Sequence, residues 1–322
     1  MADTIEVPIT QMRYDITLPL FEGRVEIPGV VLTPARGPGA MVFADNPQLR
    51  QGDFGLCDLN LGYLPQIVEA GWEVVALPLI SKRKSVLQFV WVRADRGIDT
   101  PKDLEGKVIG TSTYTTAITV MVRGLLQHRY GVDLTKLRWK ANAKDFFPCF
   151  GEVALEYFED RKNPVDRLVA GEVDAIVTDV SDGRAWETLA SNPDIKLLFP
   201  KYQDEDYALY RETGIFPPMH IMVMSRKLDR QHPDLARKLY DGFEQAKKLA
   251  YEDALNDRAG FSVLYQREIV FEQMKKWGDA FAYGLKADRT TYAAYFAYSL
   301  EQGVIRQPSS YEKVFAAGTL DT

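Results

Sequence analysis

Gly106-Lys-Val-Ile-Gly110-Thr-Ser-Thr-Tyr-Thr-Thr116-Ala-Ile-Thr-Val-Met121-Val-Arg-Gly-Leu125-Leu-Gln-His-Arg-Tyr-Gly131 carries the reading of the fold. Lys107 to Ile109 is a short apolar run that stops at Gly110, the mark of a buried strand ending in a turn. Ile118, Met121, Val122 and Leu125 then recur at helical spacing, and Gly131 fits the cap of that helix. Hydroxyls at Thr111, Ser112, Thr113, Thr115 and Thr116 lie between strand and helix. With the free backbone N–H groups of a helix start they make a seat for an anion, because the dipole and the unpaired donors point the same way. No Gly-Lys-Ser/Thr is present, so a carboxylate suits the seat better than a nucleotide phosphate. The same hydroxyls also serve a plain helix cap.

A chain of 322 residues can hold two cores, and its net charge of -6 without a basic block argues against a nucleic-acid partner. Cys57 and Cys149 are too scattered for a disulfide framework or a zinc cluster. No apolar stretch approaches membrane-spanning length, and the first residues lack the basic start and apolar centre of an export signal. A cytoplasmic protein with no membrane partner is therefore expected. Assembly into a homo-oligomer is left open.

Leu49-Arg-Gln-Gly52-Asp-Phe-Gly-Leu-Cys-Asp58 reads as helix end, glycine cap and strand, and Leu168-Val-Ala-Gly171-Glu-Val-Asp-Ala-Ile-Val177 repeats it. The echo suggests two similar α/β lobes, each offering a loop after its strand: Asp58 to Asn60 in one, Thr178 and Asp179 in the other. Ligands of open α/β sheets lie beyond the carboxyl ends of strands, so these loops should face one cleft. Leu87–Val92 and Met219–Met224 read as apolar strands crossing between lobes. One lobe then comprises residues 1–92 and 220–322, the other 93–219. Tyr14 to Leu18 reads as strand, Ile80 to Val86 as a polar stretch, Lys201 to Tyr210 as an acidic, aromatic loop, and Pro233 to Asn256 and Thr290 to Glu301 as helices.

Arg211-Glu-Thr-Gly-Ile-Phe-Pro-Pro-Met-His220, Gly124-Leu-Leu-Gln-His-Arg-Tyr-Gly131 and Tyr283-Gly-Leu-Lys-Ala-Asp-Arg-Thr-Thr-Tyr292, with Glu301-Gln-Gly303, resemble the 4,5-dihydroxyphthalate decarboxylase family. The likeness extends to Arg13-Tyr14-Asp15, Asp103-Leu-Glu-Gly-Lys-Val-Ile-Gly110 and Ala170-Gly-Glu-Val-Asp-Ala175. It implies an α/β protein of the type 2 periplasmic-binding-protein fold, two lobes around a cleft, decarboxylating an aromatic acid without an organic cofactor. The chain departs from the family's pattern at Val86-Leu87-Gln88, where Arg-His-Ser is usual, and at Asn142-Ala-Lys-Asp-Phe-Phe-Pro148, usually rich in Gly and Pro with an Arg. Ala280 replaces a usual proline. These changes bear on the substrate more than on the fold.

Loss of carbon dioxide from a phenolic acid needs a proton donor at the ring carbon, groups that hold the carboxylates and a partner for the phenol oxygen. His220, after the rigid Pro217-Pro218 turn, is the candidate acid/base. His128, late on its helix, suits the dipole, and His232 before Pro233 is read as structural. Arg13 and Arg83 are candidates for a bidentate grip on a carboxylate. Thr111, Ser112, Thr113 and Thr115 would seat a second carboxylate, and Asp58, Asn60 and Asp179 would orient phenol hydroxyls, although each also fits an ordinary Asx turn. No resident metal or cofactor is expected; the pattern leaves room for a divalent ion held by substrate oxygens and one or two carboxylates. Two alternatives share the fold: a solute-binding protein for an organic anion, and a dehydratase of a carboxylated enol ether.

Overall fold

The computed structural model describes residues 4–10, 14–35, 47–151, 153–160, 162–256 and 263–322. Arg13 and residues 36–39 of the Gly/Pro-rich loop lie outside them. Among the described residues two sheets form. The first runs β2 (Val30–Pro34), β1 (Ile5–Thr10), β3 (Leu56–Asn60), β11 (Pro218–Ser225), β4 (Val74–Arg83). The second runs β10 (Ile195–Leu197), β5 (Val90–Arg93), β9 (Ala175–Val177), β6 (Val108–Thr111), β7 (Arg138–Ala141), β8 (Leu155–Tyr157). β11 is antiparallel to both its neighbours, and β5 is antiparallel to β9 and β10. Neither strand itself crosses, contrary to the expectation for Leu87–Val92 and Met219–Met224: each is the first strand laid down after the chain changes sheet in a two-lobed α/β fold of the periplasmic-binding-protein type. The chain changes sheet between Arg83 and Val90 and returns between Leu197 and Pro218. Val90 to Val92 therefore lie in the second sheet, and Pro218 and Met219 in the first, a few residues from the boundaries expected at 92/93 and 219/220.

Period-2 alternation decides which face each strand buries. Val7, Ile9, Leu56, Val75, Leu77, Leu79, Met222 and Met224 share one face and pack on Leu235, Leu239 and Phe243 of helix Leu235–Leu255. Each such burial contributes about 2 kcal/mol before the entropy of ordering is set against it. Cys57, Leu59, Ala76, Ile221 and Val223 face the other way, in a cluster continuous with Ile109, Val120, Val122 and Ile176 of the second lobe. The lobes thus share apolar contact. Gly62 sits where they meet: a Cβ there would collide with the Thr115 carbonyl and crowd Ala117 N.

The two helix–glycine–strand units are present: Pro47–Gln51 and Pro164–Val169 end before Gly52 (φ +74°) and Gly171 (φ +73°), and β3 and β9 follow. Three stretches differ from expectation. Tyr14 to Leu18 is not extended but enters 3-10 helix Asp15–Thr17 and helix Leu18–Phe21, with proline in its first turn. Ile80 to Arg83 continues β4, because pairing with β11 satisfies its backbone in spite of its polar side chains. Lys201 to Tyr210 is mostly helix Tyr202–Thr213, favoured by Asp204 and Glu205 in its first turn and ended at Gly214 (φ +73°). Leu87–Val92 divides into 3-10 turn Leu87–Phe89 and β5.

Candidate active site

β3, β11 and β4 bring three polar side chains into a row. His220 pairs in register with Asn60 on one side and Lys82 on the other, at the carboxyl ends of β3 and β4. Pro218 is tolerated inside the sheet because it is the first residue of β11, and the ladder shifts register on both sides of His220. Asp58, two residues before Asn60, is fully buried, and His220 is 5% exposed.

Asp58 is the acceptor that organises this row. Tyr14 Oη donates to Asp58 Oδ2 at 2.5 Å and Ser81 Oγ to Asp58 Oδ1 at 2.5 Å. His220 Nδ1 stands 3.4 Å from the same Oδ2 and 3.3 Å from Tyr14 Oη. Since the tyrosine proton is committed to Asp58, Nδ1 meets only acceptors and carries the ring proton. Nε2, for which the described residues supply no hydrogen-bond partner, is left for chemistry. Burial and the adjacent Asp58 charge push Tyr14 far above the usual phenol range, so it stays a donor.

The hydroxyl-rich turn before helix Ala117–His128 does hold a carboxylate, and it is the chain's own. Asp145 accepts from Tyr114 N–H (2.9 Å), Thr115 N–H (2.9 Å) and Thr115 Oγ1 (2.6 Å). Ala117 N–H donates to Asn60 Oδ1 at 3.0 Å, while Thr116 caps the helix through Thr119 N–H. Thr111 Oγ1 donates to the Thr113 carbonyl, and Ser112 Oγ pairs with Thr178 Oγ1 at 2.8 Å. The donors that would greet a ligand are largely taken.

Two lysines cross between lobes instead. Lys82 Nζ is 3.5 Å from Asp179 Oδ2, and Lys84 Nζ donates to Ser181 Oγ at 2.8 Å. Asp179 is held below its ordinary range: burial opposes this, but Ser181 and the charge of Lys82 prevail. Burial, and then repulsion from Lys82, lowers Lys84. Arg83 points the other way, with Nη1 on the Phe216 carbonyl and Nη2 on Asp288. Burial raises Asp288 in spite of that guanidinium.

The structure therefore gathers His220, Asp58 and Asn60, places Asp179 across from them, and ties Arg83 and Thr115 to other groups. His128 lies apart, bonded to Glu301 and stacked on Tyr298. Sequence reasoning passed over Tyr14, Ser81, Lys82, Lys84 and Asp145. The wholly polar Ser81-Lys82-Arg83-Lys84 run carries no alternation; the one available signal is that it follows on the apolar strand Trp72 to Leu79. Among the described residues no group of three or more His, Cys, Asp and Glu is placed to hold a metal ion. No described helix is long and apolar enough to cross a membrane.

No protein-family model matches the chain. A 4,5-dihydroxyphthalate decarboxylase of Comamonas testosteroni is 29% identical over 257 residues, covering 76% of this chain and 76% of that protein. One from Pseudomonas putida is 27% identical over 169 residues, 49% of this chain and 64% of that protein. The chain is a relative of the 4,5-dihydroxyphthalate decarboxylases. That kinship supports decarboxylation of this kind. Among solved structures, the periplasmic aliphatic sulphonate binding protein SsuA of Escherichia coli aligns with a TM-score of 0.56 at 12% identity, covering 98% of this chain and 99% of that one. A Candida albicans protein described as having the generic periplasmic binding protein fold gives 0.51 at 14% identity, covering 95% and 92%. At such identities the agreement establishes the fold alone.

Proposed function

We propose that the chain decarboxylates a hydroxylated aromatic dicarboxylate such as 4,5-dihydroxyphthalate, without a cofactor. The observation that carries this is the Tyr14–Asp58–His220 cluster at the carboxyl ends of β3 and β4, joined to decarboxylase kinship. In this reading His220 delivers a proton from Nε2 to the ring carbon bearing the carboxylate. A phenolate oxygen pushes electrons into the ring, the bond to the carboxylate breaks, and carbon dioxide leaves as aromaticity returns. Asp58 holds Nδ1 and stabilises the imidazolium before transfer, and Tyr14 and Ser81 fix Asp58 in turn. Lys82 and Lys84 supply positive charge for the carboxylates, with Arg13 as a further grip. Ser112, Thr113 and Asp179 rim the gap, and Asn60 holds the lobes in register. The reaction belongs in the cytoplasm.

The test is release of carbon dioxide from 4,5-dihydroxyphthalate by the purified chain, with one equivalent of 3,4-dihydroxybenzoate formed. Saturable binding of the diacid with no gas evolved would instead favour a solute carrier, the role named for the sulphonate-binding relative.

A further inference from the structure

Of the twelve large apolar side chains that stand exposed among the described residues, six lie between Val263 and Met274, on or just before helix Gln266–Trp277. That helix buries none of its own residues. A surface helix ordinarily hides its apolar stripe, so apolar side chains on an outer face ask for a cover. The inner sides are accounted for. Gln266 and Val270 line a small cavity with Ala250 and Ala254 of helix Leu235–Leu255. Ile269 and Gln273 line a larger one with Arg83 and Phe281. Trp277 anchors the far end, stacked on Phe216 with centroids 4.8 Å apart. Phe271 and Met274, 59% and 37% exposed, belong to neither wall, and Leu264, 79% exposed, stands just before the first turn.

The charges beside this stripe say what covers it. Glu268 and Lys275 are seven residues, two helical turns, apart and so lie on one flank, with Phe271 between them. Their partners within the chain are neighbours on the same helix: Arg267 at 3.1 Å from Glu268, and Glu272 at 3.8 Å from Lys275, all more than half exposed. Such pairs contribute little and exchange readily. Laid antiparallel on a copy of itself, about a twofold axis between Phe271 and Glu272, the helix brings each Glu268 opposite the other copy's Lys275. A parallel copy would set Glu268 against Glu268 and Lys275 against Lys275. The helix ends at Gly278, where a Cβ would meet nothing within 4 Å, and this open space comes level with the other copy's Leu264. The face therefore carries its own complement, and one twofold axis satisfies both ends at once.

We propose that the outer face of helix Gln266–Trp277 is a self-association surface, through which two copies of this chain pair antiparallel. Phe271 and Met274 fill the centre, and Glu268 of each copy meets Lys275 of the other. This does not depend on the decarboxylase reading. A helix of this length spans only about 18 Å, short of the roughly 800 Å2 per partner of a standard interface, so the dimer is weak, with Kd on the order of 10–100 µM.

Sedimentation of the intact chain from about 5 to about 500 µM tests this, and the unaltered chain should pass from monomer to dimer across that range. Phe271→Asp should remain a monomer throughout, with the thermal midpoint of the dilute chain unmoved. Glu268→Lys and Lys275→Glu should each weaken the dimer about tenfold or more, because each sets like charges opposite one another. The two single variants mixed should associate at least as tightly as the unaltered chain, since a basic face then meets an acidic one. The chain carrying both changes should dimerise again alone. A monomer at about 500 µM overturns the proposal, and leaves the face to solvent or to another partner. So does a dimer indifferent to Phe271→Asp, or a mixture of the single variants that associates no more tightly than either alone.

Discussion

The row on β3, β11 and β4 and the hydroxyl-rich start of helix Ala117–His128 look alike as sequence, for each concentrates polar groups just after a strand. Their fates in the fold are opposite. At the helix start most of the donors are taken internally, by Asp145, Asn60 and Thr116. In the row, hydrogen bonds from Tyr14, Ser81 and the Nδ1 of His220 converge on Asp58, and the imidazole keeps one nitrogen left over. A polar cluster that closes on itself supports structure; one that ends on an uncommitted, proton-exchanging atom can do chemistry.

The largest effect should come from breaking the open end. His220→Ala is expected to cut carbon dioxide release by ~10²-fold or more, the scale of a lost general acid, with the thermal midpoint nearly unmoved. Activity within a few-fold of the parent would put both clusters in the structural class. Asp58→Asn should lower kcat by about 10- to 100-fold while leaving KM within about threefold, because it disturbs the ring's proton and orientation and not the substrate's grip.

Asp206 sharpens the contrast, being a buried acid that neither cluster uses. Its folded-state value lies above the ordinary carboxylate value, so the native chain holds the proton more tightly than the unfolded chain does. Asp206 is therefore neutral about the balance below pH 3.8 and opposes folding as pH rises through about 6. Asp206→Asn should stabilise the chain by on the order of 2 kcal/mol at pH 7 and much less at pH 4, in denaturant titrations at the two values. Asp145→Ala should have the smallest effect. Emptying the seat leaves three donors without their acceptor, for a loss of about 1 kcal/mol. Added acetate should restore part of that stability, and indifference to acetate would mean that the seat closes once its carboxylate has gone.

Much of the architecture was legible because apolar periodicity and glycine caps are local signals. β1, β11, helix Leu235–Leu255 and helix Arg289–Glu301 all follow from their own residues. Ser81 to Arg83 was not legible, since polar side chains suggested a loop while the backbone was claimed by a partner strand far along the chain. The site was legible by residue type and not by pairing. Nothing near Thr115 announces Asp145, thirty residues on, and nothing near Asp58 announces Tyr14, forty-four residues back. Arg83 had the right chemistry for a carboxylate, but its Nη groups meet Asp288 and the Phe216 carbonyl. Long-range partners of this kind are set by the tertiary fold, which local propensity does not encode.

Gly62 lies against Thr115 and Ala117 with no space for a side chain, and Asn60 accepts from the Ala117 amide beside it. Moving the halves apart would strip that amide of its acceptor while leaving Asp145 on Tyr114 and Thr115, so the register of the two lobes rests on a single backbone donor and on a glycine that nothing larger can replace.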